Sequence, residues 1–145
     1  MDIKKIYYLA NNQYKKKNYK KAKNLFLQIL NVYPQHPQVN NNLGLVYKKL
    51  NEQNKALKCF KTAVNFDKKY TIGLNNLAKT LQELDYLKES LKYFEQSLDL
   101  DSKKKETNES YAHTLFRLNQ HNKALKFLEK GIGLIKFTKI GIVIT

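Results

Sequence analysis

The sequence is poor in the residues that cross-link, break or anchor a chain. Its single cysteine, Cys59, excludes a disulfide within the chain, and there are no tryptophans, two prolines and five glycines. No run of eighteen apolar residues occurs, so no membrane-spanning helix is predicted, and residues 1–5 lack the apolar stretch of a signal peptide. We therefore expect a soluble, cytoplasmic protein of one domain's length.

Residues suited to catalysis or metal binding are scattered along the chain. His36, His113 and His121 lack the spacing of a metal-binding pair, and no nearby cysteine or acid completes a ligand set. The glycines near the C-terminus follow no strand signal, so they predict no phosphate-binding loop. We expect no enzymatic activity, no cofactor and no metal site.

Acidic residues are also scarce, with 12 against 27 basic residues and a net charge of +15. Residues 1–51 hold ten lysines and one acid, whereas residues 52–101 hold eight lysines and eight acids. Clustered lysines attract phosphate, so binding of nucleic acid or of an anionic surface is one interpretation, and a solvated rim is the other. Arg117 is the only arginine, although arginine is favoured for phosphate recognition. The densest cluster is Lys15, Lys16, Lys17, Lys20, Lys21 and Lys23.

A 34-residue period runs through almost the whole chain. Ala22, Ala56 and Ser90 recur at this period, and each is followed four residues later by a phenylalanine. Ala124 and Leu128 continue the series. A second series, of a large apolar residue followed by a small one, has the same period: Leu9-Ala10, Leu43-Gly44, Leu77-Ala78 and Tyr111-Ala112.

Apolar residues three and four apart within each copy predict two amphipathic helices per repeat. Pro34 and Pro37 bracket the first turn between repeats, where a fixed φ and a missing N–H stop one helix and allow the next. The predicted helices span residues 3–16, 19–32, 37–50, 53–66, 71–84, 87–100, 105–118 and 121–134.

The second copy, with Leu43, Gly44, Tyr47, Ala56, Phe60 and Ala63, resembles the tetratricopeptide repeat family. The outer copies depart from the family pattern at Gln13, Ile29, Leu128 and Gly131. The resemblance implies an all-α, right-handed superhelical solenoid of antiparallel helix pairs. It gives one domain, residues 1–138, with repeats at about 3–36, 37–70, 71–104 and 105–138, followed by an apolar tail at 139–145.

In this family the first helix of each repeat lines a concave groove, so the resemblance implies a protein-protein interaction scaffold that binds an extended peptide. The Asn-Leu-Gly/Ala stretches at Asn42 and Asn76 are similar to asparagine ladders that pair with a peptide main chain, since an amide both donates and accepts. A clamp for a C-terminal carboxylate is disfavoured, because Tyr7 and Ile72 stand where lysines are needed. The candidate groove residues are Tyr7, Tyr8, Asn11, Lys15, Asn41, Asn42, Leu45, Lys49, Asn75, Asn76, Lys79, His113 and Arg117.

The chain from Ile132 onward is apolar and β-branched, unlike the polar helix that normally caps a solenoid. Three interpretations stay open: it covers the last repeat, it pairs with another chain in self-association, or it marks a chain truncated relative to longer relatives. In the last case the repeats would be the substrate-presenting half of a larger transferase or oxygenase. The leading hypothesis is an adaptor for a protein or peptide partner of acidic or polar character. Asn42 and Asn76 would bond the peptide backbone, and the cations that select acidic or polar side chains would be Lys15, Lys49, Lys79 and Arg117.

Overall fold

The computed structural model describes residues 2–132, 135–138 and 141–144, with the side chains of residues 2–129. The described residues form eight α-helices and then two short strands. The helices are α1 Ile3–Lys15, α2 Tyr19–Val32, α3 Pro37–Lys49, α4 Gln53–Phe66, α5 Thr71–Glu83, α6 Leu87–Leu100, α7 Lys105–Arg117 and α8 His121–Ile132. This order confirms the predicted all-α repeat fold, and every helix begins at its predicted residue.

The first helix of each repeat ends one residue earlier than predicted, because the chain turns there in a fixed way. In the second repeat Asn51 adopts a left-handed φ of 59°, and the N–H of Glu52 donates to the carbonyl of Tyr47 at 2.9 Å. This is the Schellman motif, which satisfies the last carbonyls of a helix. The left-handed residue recurs once in every repeat, with φ of 62° at Lys17, 67° at Asp85 and 59° at Asn119.

Small residues between the paired helices make room for aromatic rings. Gly44 shows the tightest case, since a Cβ there would lie 2.6 Å from Cε1 of Phe60. Alanine serves at the equivalent positions, and Ala10, Ala78 and Ala112 are fully buried. The buried phenylalanines, which recur at the predicted period, each lie in a separate core cluster, and the partly buried Tyr47 and Tyr93 link these clusters from one repeat to the next.

The first helices of neighbouring repeats touch one another, α3 with α5 and α5 with α7. Across the part of the chain that the structure describes, no two second helices make a contact of that extent. The stack therefore bends with its first helices on the inner side. Among the described helices, none is both long enough and apolar enough to cross a bilayer.

Two strands that the sequence did not predict follow the last helix. α8 ends at Ile132 rather than at residue 134, and β1 Ile135–Thr138 pairs antiparallel with β2 Gly141–Ile144. β-branched and aromatic residues, which favour strands, are concentrated in these two segments. The hairpin lies across the predicted domain end at residue 138, and that boundary stays a prediction.

Candidate functional site

Residues three or four apart on each first helix share one face, which we call the groove face. In α3 it consists of positions 38, 42, 45 and 49. In α1 and α5 it consists of the positions one 34-residue period before and after these, and in α7 of the positions two periods after. Most of the predicted groove residues belong to it. They are Tyr8, Asn11 and Lys15 in α1, Asn42, Leu45 and Lys49 in α3, Asn76 and Lys79 in α5, and His113 and Arg117 in α7.

Three predicted groove residues instead lie one position earlier, in the seam between neighbouring helices. Asn41 is only 2 % exposed and Asn75 only 8 % exposed, so neither presents its amide to a ligand. The Asn75 Oδ1 accepts a hydrogen bond from Thr107 Oγ1 at 3.0 Å, which joins α5 to α7. Tyr7 is half-buried and packs its ring edge-on against Phe26 at a centroid distance of 6.1 Å.

Asn42 is on the groove face, but its amide is already occupied. Its Nδ2 donates to Tyr7 Oη and to Asn11 Oδ1, both at 3.0 Å, and its Oδ1 accepts from Asn41 Nδ2 at 3.3 Å. An amide nitrogen carries two hydrogens, so both are used. Asn42 therefore fastens the first repeat to the second, and it has no N–H left to donate to a peptide main chain, although its Oδ1 keeps one lone pair.

Asn76, the equivalent residue in the third repeat, keeps part of its hydrogen-bonding capacity. Its Nδ2 donates once, to Asn41 Oδ1 at 2.9 Å. Neither its second N–H nor its Oδ1 has a partner among the described residues, and the side chain is partly exposed. A donor and an acceptor on one side chain match the N–H and C=O of an extended peptide. These linked side chains form what we call the polar ladder: Tyr7, Asn11, Asn42, Asn41 and Asn76.

The charged residues of the groove face divide into paired and unpaired groups. Arg117 donates to the Asp85 carboxylate at 2.7 Å and to the backbone carbonyl of Gln82 at 3.0 Å, so it anchors α7 to the end of α5. Lys79 pairs with Glu106, and this hydrogen bond holds the pKa of the Glu106 carboxyl below its usual value. Two of the predicted selecting cations are thus engaged within the protein.

Lys15 and Lys49 differ from these cations, since neither takes part in an ion pair within the part of the chain that the structure describes. Both are exposed and stand at equivalent positions of the first and second repeats. Lys48, next to Lys49, binds Glu83 at 2.7 Å. The available positive charge on the groove face therefore consists of these two lysines at the C-terminal ends of α1 and α3, together with the exposed Lys4 at the start of α1.

The groove face also exposes apolar side chains. Tyr8 is 70 % exposed and Ile72 is 51 % exposed, while Leu45 is partly exposed. Ile72 lies four residues before Asn76 and was not among the predicted groove residues. Its position in the repeat identifies it, since it is equivalent to Gln38 at the start of α3.

Some side chains that link neighbouring repeats were not predicted from the sequence. Gln82 Nε2 donates to the Ser110 carbonyl at 3.1 Å and to Thr114 Oγ1 at 2.5 Å, and it lies 3.3 Å from Nδ1 of the exposed His113. Gln82 could have been found from its position in the repeat, because it is equivalent to Lys48 one repeat earlier. Both residues contact the following first helix.

The described residues contain no group of three or more His, Cys, Asp or Glu side chains that could hold a metal ion. Burial raises the pKa of the Cys59 thiol to about 11, which leaves it a poor nucleophile near neutral pH. These observations supply no reactive group on the groove face.

A family model described as tetratricopeptide repeat matches residues 37–70, 73–104 and 106–137, and a second model of the same description matches residues 6–36. Among solved structures, MamA is 17 % identical with a TM-score of 0.80 over 86 % of this chain and 72 % of its own. The 41-end form of MamA from Desulfovibrio magneticus RS-1 is 18 % identical, with a TM-score of 0.82 over 92 % and 75 %.

A third solved structure is YrrB, described as a TPR protein with an unusual peptide-binding site. It is 24 % identical to this chain, with a TM-score of 0.80 over 91 % of this chain and 68 % of its own. At these identities the likeness extends to the fold alone. No curated protein matches the sequence.

Proposed function

The chain belongs to the tetratricopeptide repeat family, and we propose that it is a non-enzymatic scaffold that holds an extended peptide segment of a partner protein on its groove face. The observation that carries the proposal is the unequal use of two equivalent asparagines. Asn42 uses both of its N–H groups within the protein, whereas Asn76 keeps one N–H and its whole Oδ1. The remaining N–H and Oδ1 of Asn76 are partly exposed and are therefore available to a ligand.

In this proposal each available group on the groove face has a separate role. Asn76 bonds the peptide main chain, while Lys15 and Lys49 select acidic or polar side chains. Tyr8 and Ile72 supply apolar contact area, and tyrosine is among the residues most enriched at binding hot spots. YrrB supports the assignment as a protein of the same fold whose description names a peptide-binding site.

The polar ladder contributes indirectly, by holding the first helices in register before the partner arrives. A surface that is ordered in advance loses less conformational entropy on binding, so more of the contact energy appears as affinity. Removal of Asn42 would leave Tyr7 Oη and Asn11 Oδ1 without their donor. We therefore expect Asn42→Ala to lower stability and Asn76→Ala to lower affinity.

The test uses peptides selected from a random displayed library of extended twelve-residue sequences, with dissociation constants measured by fluorescence anisotropy. One net hydrogen bond contributes about 1 kcal/mol, so Asn76→Ala should weaken binding roughly fivefold. Lys49→Ala should weaken acidic peptides more than neutral ones. Asn54→Ala and Lys58→Ala, exposed on the second helix α4, are the matched controls and should change nothing. Equal affinities for all four variants would sink the proposal.

Three other interpretations make different predictions. Binding of an oligonucleotide with a steep salt dependence, lost in a Lys16→Ala, Lys20→Ala, Lys21→Ala variant and kept in Asn76→Ala, would move the function to the lysine cluster. A transferase or oxygenase domain encoded downstream would make the chain the substrate-presenting half of an enzyme. Self-association through the C-terminal end would appear as a concentration-dependent mass in sedimentation.

A further inference from the structure

A second concave feature lies outside the groove face, at the junction of the third and fourth repeats. It is a cavity of about 200 Å³ between the second half of α6, the following turn, α7 and α8. Its lining residues are Glu95, Leu98, Asp99, Ser102, Asn108 and Phe127. We call it the junction pocket.

The most informative group in the junction pocket is the amide of Asn108, which is 0 % exposed. Its Nδ2 donates to the backbone carbonyls of Ser102 at 3.0 Å and Lys104 at 3.1 Å, which ties down the turn between the repeats. Its Oδ1 is buried and has no hydrogen-bond partner. A buried acceptor without a donor is costly, so the site calls for a donor from within the pocket.

The other polar groups of the pocket are also mainly acceptors. The Asp99 carboxylate is exposed and forms no ion pair or hydrogen bond with any described residue. Glu95 accepts from Tyr111 Oη at 2.5 Å and lies 3.6 Å from Lys123 Nζ, so its carboxylate is partly neutralised. Asp99 also borders a neighbouring cavity with Lys68 and Lys92, but it pairs with neither. Two carboxylates and a buried amide oxygen favour a cation.

This combination is peculiar to one junction of the solenoid. At the equivalent positions one repeat earlier, Glu95 is replaced by Lys61 and Asn108 by Leu74. Asp99 is there replaced by Asn65. Because the same fold forms at that junction without the acidic and amide groups, the repeat architecture does not require them. Two repeats earlier the amide recurs as Asn40, which donates to the Pro34 and His36 carbonyls, whereas Leu27 and Asn31 stand in place of the two acids. The amide therefore has a general role in tying the turn, and the two carboxylates and the unpartnered Asn108 Oδ1 are what is specific to this junction.

Size and wall chemistry select the kind of cation. Ca²⁺ takes six to eight oxygen ligands, whereas one of the two carboxylates here, Glu95, is already engaged by Tyr111 and Lys123, and the space is far larger than one ion. Leu98 and Phe127 give it apolar walls, and an aromatic ring is a favourable neighbour for an organic cation. We propose that the junction pocket binds a primary alkylammonium or guanidinium group, which donates to Asn108 Oδ1 and pairs with Asp99. A lysine or arginine side chain of a partner peptide carries that group.

The proposal is tested by ¹⁵N-HSQC titration of the full chain with capped pentapeptides. Acetyl-Gly-Gly-Lys-Gly-Gly-amide and its arginine counterpart should bind with dissociation constants on the order of 1 mM, and shift resonances of residues 95–108. The norleucine counterpart, of similar length and without charge, should not bind. Asp99→Asn should weaken binding about tenfold, whereas Glu89→Gln, at the other end of α6, should leave it unchanged.

Further measurements distinguish a peptide side chain from a free amine as the bound cation, and they test the other kinds of ligand. Pentane-1,5-diamine binding as tightly as the lysine peptide would assign the pocket to free amines rather than to a peptide. Asn108→Leu, which copies Leu74 of the preceding repeat, should abolish binding while the chain stays folded by circular dichroism. Three results would overturn the proposal: tight binding of Ca²⁺ alone, equal affinity of Asp99→Asn, or no site-specific shifts with either peptide. Asn76→Ala should not affect these titrations, so this proposal and the groove proposal fail independently.

Discussion

Two serines in the core of the third repeat are predicted to destabilise the protein. Ser90 is 0 % exposed and Ser97 is 1 % exposed, and neither hydroxyl has a hydrogen-bond partner. Ser90 occupies the position of Ala22 and Ala56, where the period calls for a small apolar residue. Replacement of each serine by alanine removes the unpaired hydroxyl and keeps the helix, so we expect both changes to raise stability.

The size of the effect follows from three terms. An unpaired buried hydroxyl costs about 1–3 kcal/mol, and alanine exceeds serine in helix propensity by roughly 0.5 kcal/mol. Against this, the void left by one oxygen atom costs a few tenths of a kcal/mol at about 24 cal/mol per Å³. With the hydroxyl cost taken at its lower end, the net gain is about 1 kcal/mol for each site. The two residues are two helical turns apart, so the gains should add to about 2 kcal/mol.

The assay is urea unfolding followed by far-ultraviolet circular dichroism, with thermal unfolding as a second measurement. The double variant should gain roughly 6 °C in Tm. Thr114→Val is the matched control, since Thr114 is equally buried but its hydroxyl donates to the Ser110 carbonyl at 2.9 Å and accepts from Gln82. That change should cost about 1 kcal/mol. If Ser90→Ala and Ser97→Ala lowered stability as Thr114→Val does, the assignment of unpaired hydroxyls would be wrong.

Three further predictions concern the backbone at Lys17, the thiol of Cys59 and two tyrosines with raised pKa values. Lys17→Asn should stabilise the chain by about 0.5 kcal/mol because Lys17 has a φ of 62°, while Lys16→Asn, one residue earlier, should show no such gain in urea unfolding. Alkylation of Cys59 by iodoacetamide at pH 8 should be about 200-fold slower in the native chain than in urea, since its pKa is raised to about 11; equal rates would contradict this. Burial raises the pKa of Tyr111 and Tyr70 in the folded state, so the native chain retains protons that the unfolded chain loses, and stability should fall as pH rises above about 10. The absorbance of tyrosinate at 295 nm should then rise together with unfolding.

The sequence predicted the helices closely because the same pattern is written four times. Each copy of the small residue and the phenylalanine limits where the helices can lie, and an error in one copy is corrected by the others. The first helices were predicted one residue too long because Leu50 and Leu84 continue the apolar pattern, although each is the residue just after the end of its helix. The strands were missed because the repeat pattern was extended past Ile132.

The roles of the groove residues were harder to predict, because they depend on how neighbouring repeats approach. Asn41 and Asn42 are adjacent in sequence, yet one is buried in the seam and the other is on the groove face. Spacing makes Asn42 and Asn76 equivalent, so it does not predict that Asn76 alone keeps an N–H, which depends on the side chains that neighbouring helices bring near each amide. Arg117 was predicted to select ligands, and its bond to the Gln82 carbonyl emerges only in three dimensions.

Binding of a peptide to the groove face at Asn76 and the unpaired lysines can be observed residue by residue. The experiment is a ¹⁵N-HSQC titration with a library-selected peptide, in which the side-chain amide resonances of the asparagines are followed individually. We predict a large shift for the Asn76 amide, a small one for the Asn42 amide, whose two N–H groups are both bonded within the protein, and backbone shifts around Tyr8, Lys49 and Ile72. Shifts confined to the second helices, or to the lysine cluster around the turn at Lys17, would show that the peptide binds elsewhere.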